Sequence, residues 1–395
     1  MQIKSVKPFI VDGGFRPWTF IKVETSEPGL VGWGDCTDWG APGPIAATVE
    51  RFADFVVGRD PMQAEALWWN LTAAAVRHSG GIASKAASGI DSALWDIRGK
   101  VLGAPVWQLL GGKLRDRLRL YWTHCGSTRA RWAEALGVPK VETADDLRRL
   151  AEEVLKQGFT AIKTNFIRLK DHPTAYVRRD VFVQRAGDIS PSLLRNAEVV
   201  VSTFREALGP DIGIAFDVAF QFKLGAAARL ARTLEPYDML WLETETFDPE
   251  ALRVIRESTI TPICHGESLF GTQGYKPYLQ LHAQDVIMPD LAWNGITMGK
   301  KIADFAHAYD VLVAPHNCHS PLTTLISAQV AATIPNFYLL ELDVDDAPWR
   351  DDLLTHPFEV EDGYLKLPDR PGLGSDLIED ELLKHPPKEA YPGAR

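Results

Sequence analysis

The sequence predicts an α/β barrel behind a smaller α+β module. Three observations carry this. Eight short β-branched runs, each followed by a helical stretch, begin near residues 118, 160, 212, 239, 261, 285, 311 and 338. The intervals after the third are 27, 22, 24, 26 and 27, a regular β–loop–α–loop repeat. The front of the chain instead groups strands first and helices second. The alternative, a doubly wound open sheet, lacks the GxGxxG turn expected after its first strand, and eight near-equal units favour closure.

Residues 1–34 read as strands, IKSVKPFIVD, WTFIKVET and LVGWGD, separated by Gly/Pro or polar turns. From about 45 to 110 the pattern turns helical. In SKAASGIDSALWDIRGKVLG, Ile90, Leu94, Ile97 and Val101 recur at three-to-four spacing and Gly103 follows as a stop. The barrel runs are LRLYWTH, TAIKTN, IGIAFDV, MLWLET, TPICHGE, DVIMPD, VLVAPH and YLLELD. Between them, Thr143 with Asp146 three positions on is a weak capping box closed by Gly158, and Asp248-Pro249 opens another helix. The first two intervals, 42 and 52, are long, so residues 125–142 and 166–191 are expected to loop over one mouth. The second loop holds Arg168, Lys170, Arg178, Arg179 and Arg185 against Asp171, Asp180 and Asp188. This net positive stretch could guide an anion or be a solvated surface loop. Beyond 345 the repeat stops: FEVEDGYLKL reads as a hairpin, and the rest as a tail packed on the first module. The expected domains are 1–115, 116–345 and a returning segment, 346–395.

Composition narrows the function. The chain has 395 residues, 46% apolar and 24% charged, ample for a sizeable core. Its net charge, 42 − 52 = −10, disfavours nucleic-acid partners. No run reaches the ~18 apolar residues of a membrane span, and the N-terminus lacks signal-peptide features, so the expected place is the cytosol. Cys36, Cys125, Cys264 and Cys318 are scattered without CxxC and read as buried free thiols.

Chemistry in such barrels sits at the C-terminal strand ends. There the third, fourth and fifth runs carry Asp217, Glu243 and Glu267, 26 and 24 residues apart. Three converging carboxylates cannot all ionise without a counter-charge, and an all-oxygen set suits Mg²⁺, with Mn²⁺ possible. Any one alone would read as a helix N-cap. The sixth and seventh runs end in Asp290 and His316, 26 apart, which pair as a general base whose tautomer the carboxylate fixes. His319 competes for that role. Lys163 and Asn165 point to the same inward face of the second run, where a lysine needs an anion. Glu341 on the eighth can donate a hydrogen bond if kept protonated, or form a salt bridge.

These residues resemble the enolase superfamily, in its mandelate racemase-like subgroup, over nearly the whole chain. The stretches that carry the likeness are LVGWGD, GIDSALWDIRGKVLGAPVWQLLGG, GFTAIKTN, AFDV, WLETETFDP, TPICHGESL, VIMPDLAWNGI, APHNCHSP and LPDRPGLG. The acid-sugar dehydratases of the galactonate type look most similar, through K-x-N and P-H-N. The resemblance implies a capping domain and a modified (β/α)₇β barrel. It implies Asp217, Glu243 and Glu267 as Mg²⁺ ligands, Asp290–His316 as the catalytic dyad, and Lys163 and Glu341 around the developing enediolate. It also places Arg16 and Trp18 in a substrate-covering loop and implies a symmetric homo-oligomer. Asn165 stands where racemases carry a second base, which disfavours racemisation. Ala219 stands where galactonate-type relatives carry a histidine. Glu245 replaces a frequent proline, and Asp35 replaces the usual Glu after G-W-G. The implied reaction is Mg²⁺-dependent loss of water from an aldonate or aldarate to a 2-keto-3-deoxy acid. His316, His124 or His319 could protonate the leaving hydroxyl. Cycloisomerisation, epimerisation and non-catalytic sugar-acid binding are the alternatives.

Overall fold

The structure is a computed structural model that describes residues 1–78, 80–174 and 187–391. Arg178, Arg179, Arg185 and Asp180, in the long loop read as an anion guide or a solvated surface loop, lie outside the described residues.

The chain opens with an antiparallel sheet of β1 (Ile3–Asp12), β2 (Pro17–Thr25) and β3 (Val31–Asp35). Helices α1 (Pro42–Val56), α2 (Ala64–Ala74), α3 (Gly81–Leu102) and the short α4 (Val106–Leu109) follow. The glycines of LVGWGD have a packing reason. A Cβ on Gly34 would stand 1.9 Å from the Gly89 carbonyl oxygen, and one on Gly32 would stand 2.2 Å from that of Ala93. Alternate bare positions on β3 therefore let α3 lie directly on the sheet. The stop at Gly103 is a left-handed cap (φ 63°). Ile90, Leu94 and Ile97 are buried as the periodicity predicts, whereas Val101, in the last turn, is exposed.

All eight predicted barrel runs form strands: β4 (Arg117–Trp122), β5 (Ala161–Thr164), β6 (Gly213–Asp217), β7 (Trp241–Glu243), β8 (Ile263–His265), β9 (Val286–Ile287), β10 (Leu312–Val313) and β11 (Leu340–Leu342). They pair in parallel from β4 to β10 in chain order. Closure comes from β11 on β4 and from the Val313–Phe337 bridge on the other side. The helices between them are α5 (Ser127–Leu136), α6 (Ala144–Lys156), α7 (Pro191–Leu208), α8 (Leu224–Leu234), α9 (Pro249–Glu257), α10 (Gly271–Gln280), α11 (Leu291–His307) and α12 (Pro321–Ala331). Thr143 and Asp146 close a reciprocal capping box on α6, and Asp248 caps α9. Residues 125–142, expected as loop, instead contain α5, which starts after Gly126 in a left-handed turn (φ 85°).

The predicted hairpin is β12 (Val360–Glu361) and β13 (Tyr364–Lys366), turned by Asp362 and Gly363 at positive φ. It pairs with the first half of β4, where Leu365 faces Leu118. The last helix, α13 (Glu379–Lys384), returns to the front module, where Glu379 accepts from Lys22 at 2.6 Å. No helix among the described residues is long and apolar enough to cross a membrane.

Strand alternation positions the site. A separate apolar cluster fills the barrel interior, including Ala161, Ala215, Trp241, Met288, Ala314 and Leu339. Two residues further along each of those chains come Lys163, Asp217, Glu243, Asp290, His316 and Glu341. The interior thus changes from apolar to ionisable in one inward step at the C-terminal rim.

Candidate active site

A cavity of about 290 Å³ opens at this rim. Lys163, Asp217, Glu267, Trp293, His316, Cys318, His319 and His124 line it from the barrel, and Asp38, Trp39 and Gly40 from the front module.

The acidic wall lies on β5 to β8. Asp217 and Glu243 are register partners across adjacent strands. Glu267 sits three residues past inward-facing Cys264, and Gly266, at φ 111°, breaks the alternation that would turn it away. Asn165 Nδ2 donates to Asp217 Oδ2 at 3.0 Å, and its Oδ1 accepts from the Ser127 hydroxyl at 2.7 Å. Lys163 is buried and holds both oxygens of Glu243, at 3.1 and 3.0 Å, and Glu341 Oε1 at 2.7 Å. Burial, together with the charges of Asp217, Glu267 and Glu341, pushes Glu243 well above the usual carboxylate range despite Lys163. Burial and the neighbouring acids push Glu267 up to about 7, although His316 pulls the other way.

This donor set fits a hard divalent cation. All three groups offer oxygen, and their mutual repulsion is what such a cation relieves. The three acids do not close into one tight cluster. Among the described residues, the set with all ligand atoms within 4.8 Å of one another is Asp290, His316 and His319. Both oxygens of Glu243 are engaged by Lys163.

The opposite wall carries imidazoles. His316 Nδ1 and His319 Nε2 both lie 2.6 Å from Asp290 Oδ2, and Asp290 Oδ1 caps α11 by accepting from Trp293 N at 3.0 Å. Burial opposes ionisation of Asp290, but the charges of and bonds to His319 and His316 outweigh it and lower its pKa to about 2. His316 Nε2 faces Glu267 at 3.4 Å and Cys318 Sγ at 3.2 Å. Burial disfavours its imidazolium, yet Cys318, Glu267 and Asp290 raise its basicity well above the ordinary value. His319 therefore shares the dyad's carboxylate rather than replacing His316.

Three expectations need correction. Glu341 is not a protonated donor: it accepts from the Thr123 hydroxyl at 2.6 Å, from Asn317 N at 2.8 Å and from Lys163. Against the cost of burial, Lys163 holds it well below the usual range. Trp18 does not cover substrate, because it is a fully buried residue of β2. Arg16 is also wholly buried, and it reaches past the cavity. It donates to the carbonyls of Cys318 (2.5 Å) and His319 (3.0 Å) and to Asp343 (2.7 Å), holding the loop behind His316 in place. Asp35 accepts from the Ser320 hydroxyl on the same loop. The front module reaches the cavity through Trp39 instead, which packs with Phe15 and Trp132 at ring separations of 5.5 and 5.9 Å. Sequence reasoning missed Trp39, Asp38, Trp293 and Cys318. Only the last two carried a signal, through their places just after the strand-end Asp290 and His316. Glu245 accepts from Gly266 N at 2.6 Å and lies 3.1 Å from His265, beneath the acidic wall.

Comparison with known proteins finds matches over both parts of the chain. The family described as mandelate racemase / muconate lactonizing enzyme, N-terminal domain, matches residues 14–111, and the enolase C-terminal domain-like family matches 146–381. A D-xylonate dehydratase of Haloferax volcanii is 35% identical, over 97% of this chain and 89% of its own length. A D-galactonate dehydratase of Klebsiella pneumoniae is 32% identical, over 93% and 90%. A Burkholderia xenovorans protein, provisionally called an L-alanine-DL-glutamate epimerase and crystallised with magnesium and fumarate, superposes with a TM-score of 0.94 at 35% identity, over 100% of this chain and 98% of its own.

Proposed function

The chain belongs to the enolase superfamily, in the mandelate racemase / muconate lactonizing enzyme group, and from that premise we propose that it dehydrates a sugar acid, an aldonate or aldarate, to a 2-keto-3-deoxy acid. The observation that carries this reading is a single-faced base. His316, oriented by Asp290, presents Nε2 to the cavity, while the position just past β5 able to serve the other face is Asn165, which cannot take a proton.

Mg²⁺ held by Asp217, Glu243 and Glu267 would supply Lewis-acid charge to a substrate carboxylate. His316 Nε2 takes the proton α to that carboxylate. Lys163, positively charged through Glu243 and Glu341, lies where negative charge develops on the substrate oxygens. Glu341, as an acceptor, fixes the Lys163 ammonium and the Asn317 amide rather than donating to substrate. Trp39, packed against Phe15, lines the cavity from the front module.

Epimerisation needs a second base. Lys163 is committed to two carboxylates and held protonated, so the geometry favours elimination. Incubation with Mg²⁺ and a panel of aldonates and aldarates, with keto-acid detection, tests this. Keto-acid formation that stops in chelator supports the reading. Solvent-deuterium uptake into recovered substrate with inversion, and no keto acid from any panel member, overturns it.

A further inference from the structure

Loss of a hydroxyl needs a proton donor for the departing oxygen. We propose that His124, oriented by Asp343 and Arg16, is that donor, so that two His–Asp dyads line one cavity. The inference rests on the dehydratase reading and deepens it.

The backbone supplies the first observation. Inward-facing Tyr121 on β4 and Thr123 bonded to Glu341 fix the alternation, which sends the next residue outward. His124 instead adopts φ 49°, a left-handed conformation that costs a non-glycine residue on the order of 1 kcal/mol, and its ring lines the cavity. The second observation is orientation. His124 Nδ1 lies 3.0 Å from Asp343 Oδ1, and Asp343 Oδ2 accepts from Arg16 Nη1 at 2.7 Å. Nδ1–H therefore points at the carboxylate, and Nε2 is left without a partner among the described residues. The third is elimination of rivals. His319 has Nε2 on Asp290, and its Nδ1 is buried without a partner. His316 Nε2 receives the α-proton, and its return to the hydroxyl in a syn elimination is the rival that the His124 variants test. Arg16 touches no cavity surface but bonds both Asp343 and the Cys318 and His319 carbonyls, so it is a positioning residue for both dyads.

The step balances without a further reagent. The α-proton passes to His316 Nε2, and the C–H electrons become the new Cα–Cβ double bond. The Cβ–O bond breaks with its electron pair on oxygen, which takes the Nε2 proton of His124, whose ring enters the step protonated on both nitrogens, and leaves as water. Tautomerisation of the enol places a proton on Cβ and gives the keto acid. His124 regains its proton from solvent, and His316 releases one.

The test compares the wild type, His124→Asn, which tolerates the left-handed backbone, and His124→Gln. The probes are D-xylonate, D-galactonate and D-gluconate and their 3-deoxy-3-fluoro analogues, with Mg²⁺. Dehydration is expected to fall about 10²–10⁴-fold, while solvent-deuterium uptake at Cα stays within a few fold of wild type. Fluoride, which leaves unprotonated, should be expelled by the variants at near wild-type rate. Dehydration by either folded variant within a few fold of wild type overturns the proposal. So does loss of hydroxide and fluoride elimination together with exchange, which marks a structural role. A wild type that exchanges and dehydrates nothing, yet expels fluoride, overturns the dehydratase reading instead, because fluoride loss needs His316 alone.

Discussion

Asp290 at the barrel rim and Asp91 in the seam between α3 and α11 are both sealed from water, yet their pKa values move in opposite directions. Asp290 is lowered to about 2, and Asp91 is raised to about 7. Burial is the largest influence on both, and it favours the neutral form. The difference lies in the neighbours. Asp290 meets two imidazoles at 2.6 Å. Asp91 meets the Thr297 hydroxyl at 2.6 Å and the Thr297 amide at 2.9 Å, dipoles that only partly offset desolvation. A buried carboxylate is thus a poised charge at the rim and a near-neutral hydrogen-bonding joint at the seam. The acidic wall shows the same rule with like-charged neighbours, in the raised Glu243 and Glu267.

The largest expected effect breaks the rim side of this contrast. Asp290→Asn removes the charge that orients both histidines. By analogy with loss of the orienting aspartate in a serine-protease triad, turnover should fall about 10⁴-fold. Solvent-deuterium exchange at Cα should fall with it, because the lesion precedes elimination. Retained exchange would mean that His316 does not depend on Asp290. Next, Lys163→Met leaves Glu243 and Glu341 without their shared cation. Turnover should drop about 10²–10³-fold, the scale for losing one preorganised stabiliser of developing charge. Steady-state rates at saturating substrate and Mg²⁺ measure it.

The seam side is probed through pH. Asp91 keeps its proton in the folded chain to about pH 7 but loses it near pH 4 when unfolded. Between those values the folded state binds the extra proton, so this group makes stability fall as pH rises, by about 1.4 kcal/mol per pH unit. Asp290 has the reverse sign. Its contribution is present above the unfolded value and disappears as pH falls toward 2. Asp91→Asn should therefore flatten the decline in denaturant-derived stability between about pH 5 and 6, the middle of that window. An unchanged slope would show that Asp91 is ionised throughout.

The sequence made the positions of this chemistry legible but not its partners. Spacing by one βα repeat located Asp217, Glu243, Asp290 and His316, because parallel strands of equal tilt bring equivalent residues to one level. Period-two alternation placed Lys163 inward. Neither rule reports what a side chain touches. Glu341 was legible as an inward acid, but its ionised state depends on Lys163, 178 residues earlier in the chain. Arg16 was legible as a front-module residue near the mouth. Its actual bonds run to residues more than 300 positions away. His124 was the hardest to place, since its direction comes from a left-handed backbone that no residue pattern announces. Asp91 lay in plain view in GIDSALWDI, and its role needed the contact with α11.

The smallest expected effect sharpens the seam. Thr297→Val keeps the shape of the side chain but removes the hydroxyl that donates to Asp91 Oδ1 at 2.6 Å and accepts from Trp95 Nε1 at 2.8 Å. Two buried polar groups lose a partner, so stability should fall by about 1–3 kcal/mol. Asp91 also loses an interaction that favours its charged form, which moves its titration further above 7. The decline in stability should then extend to higher pH than in the wild type, while Cα exchange, which depends on the rim, stays unchanged. A variant that loses exchange in proportion to stability would show that seam and rim are one mechanical unit rather than two separate uses of a buried aspartate.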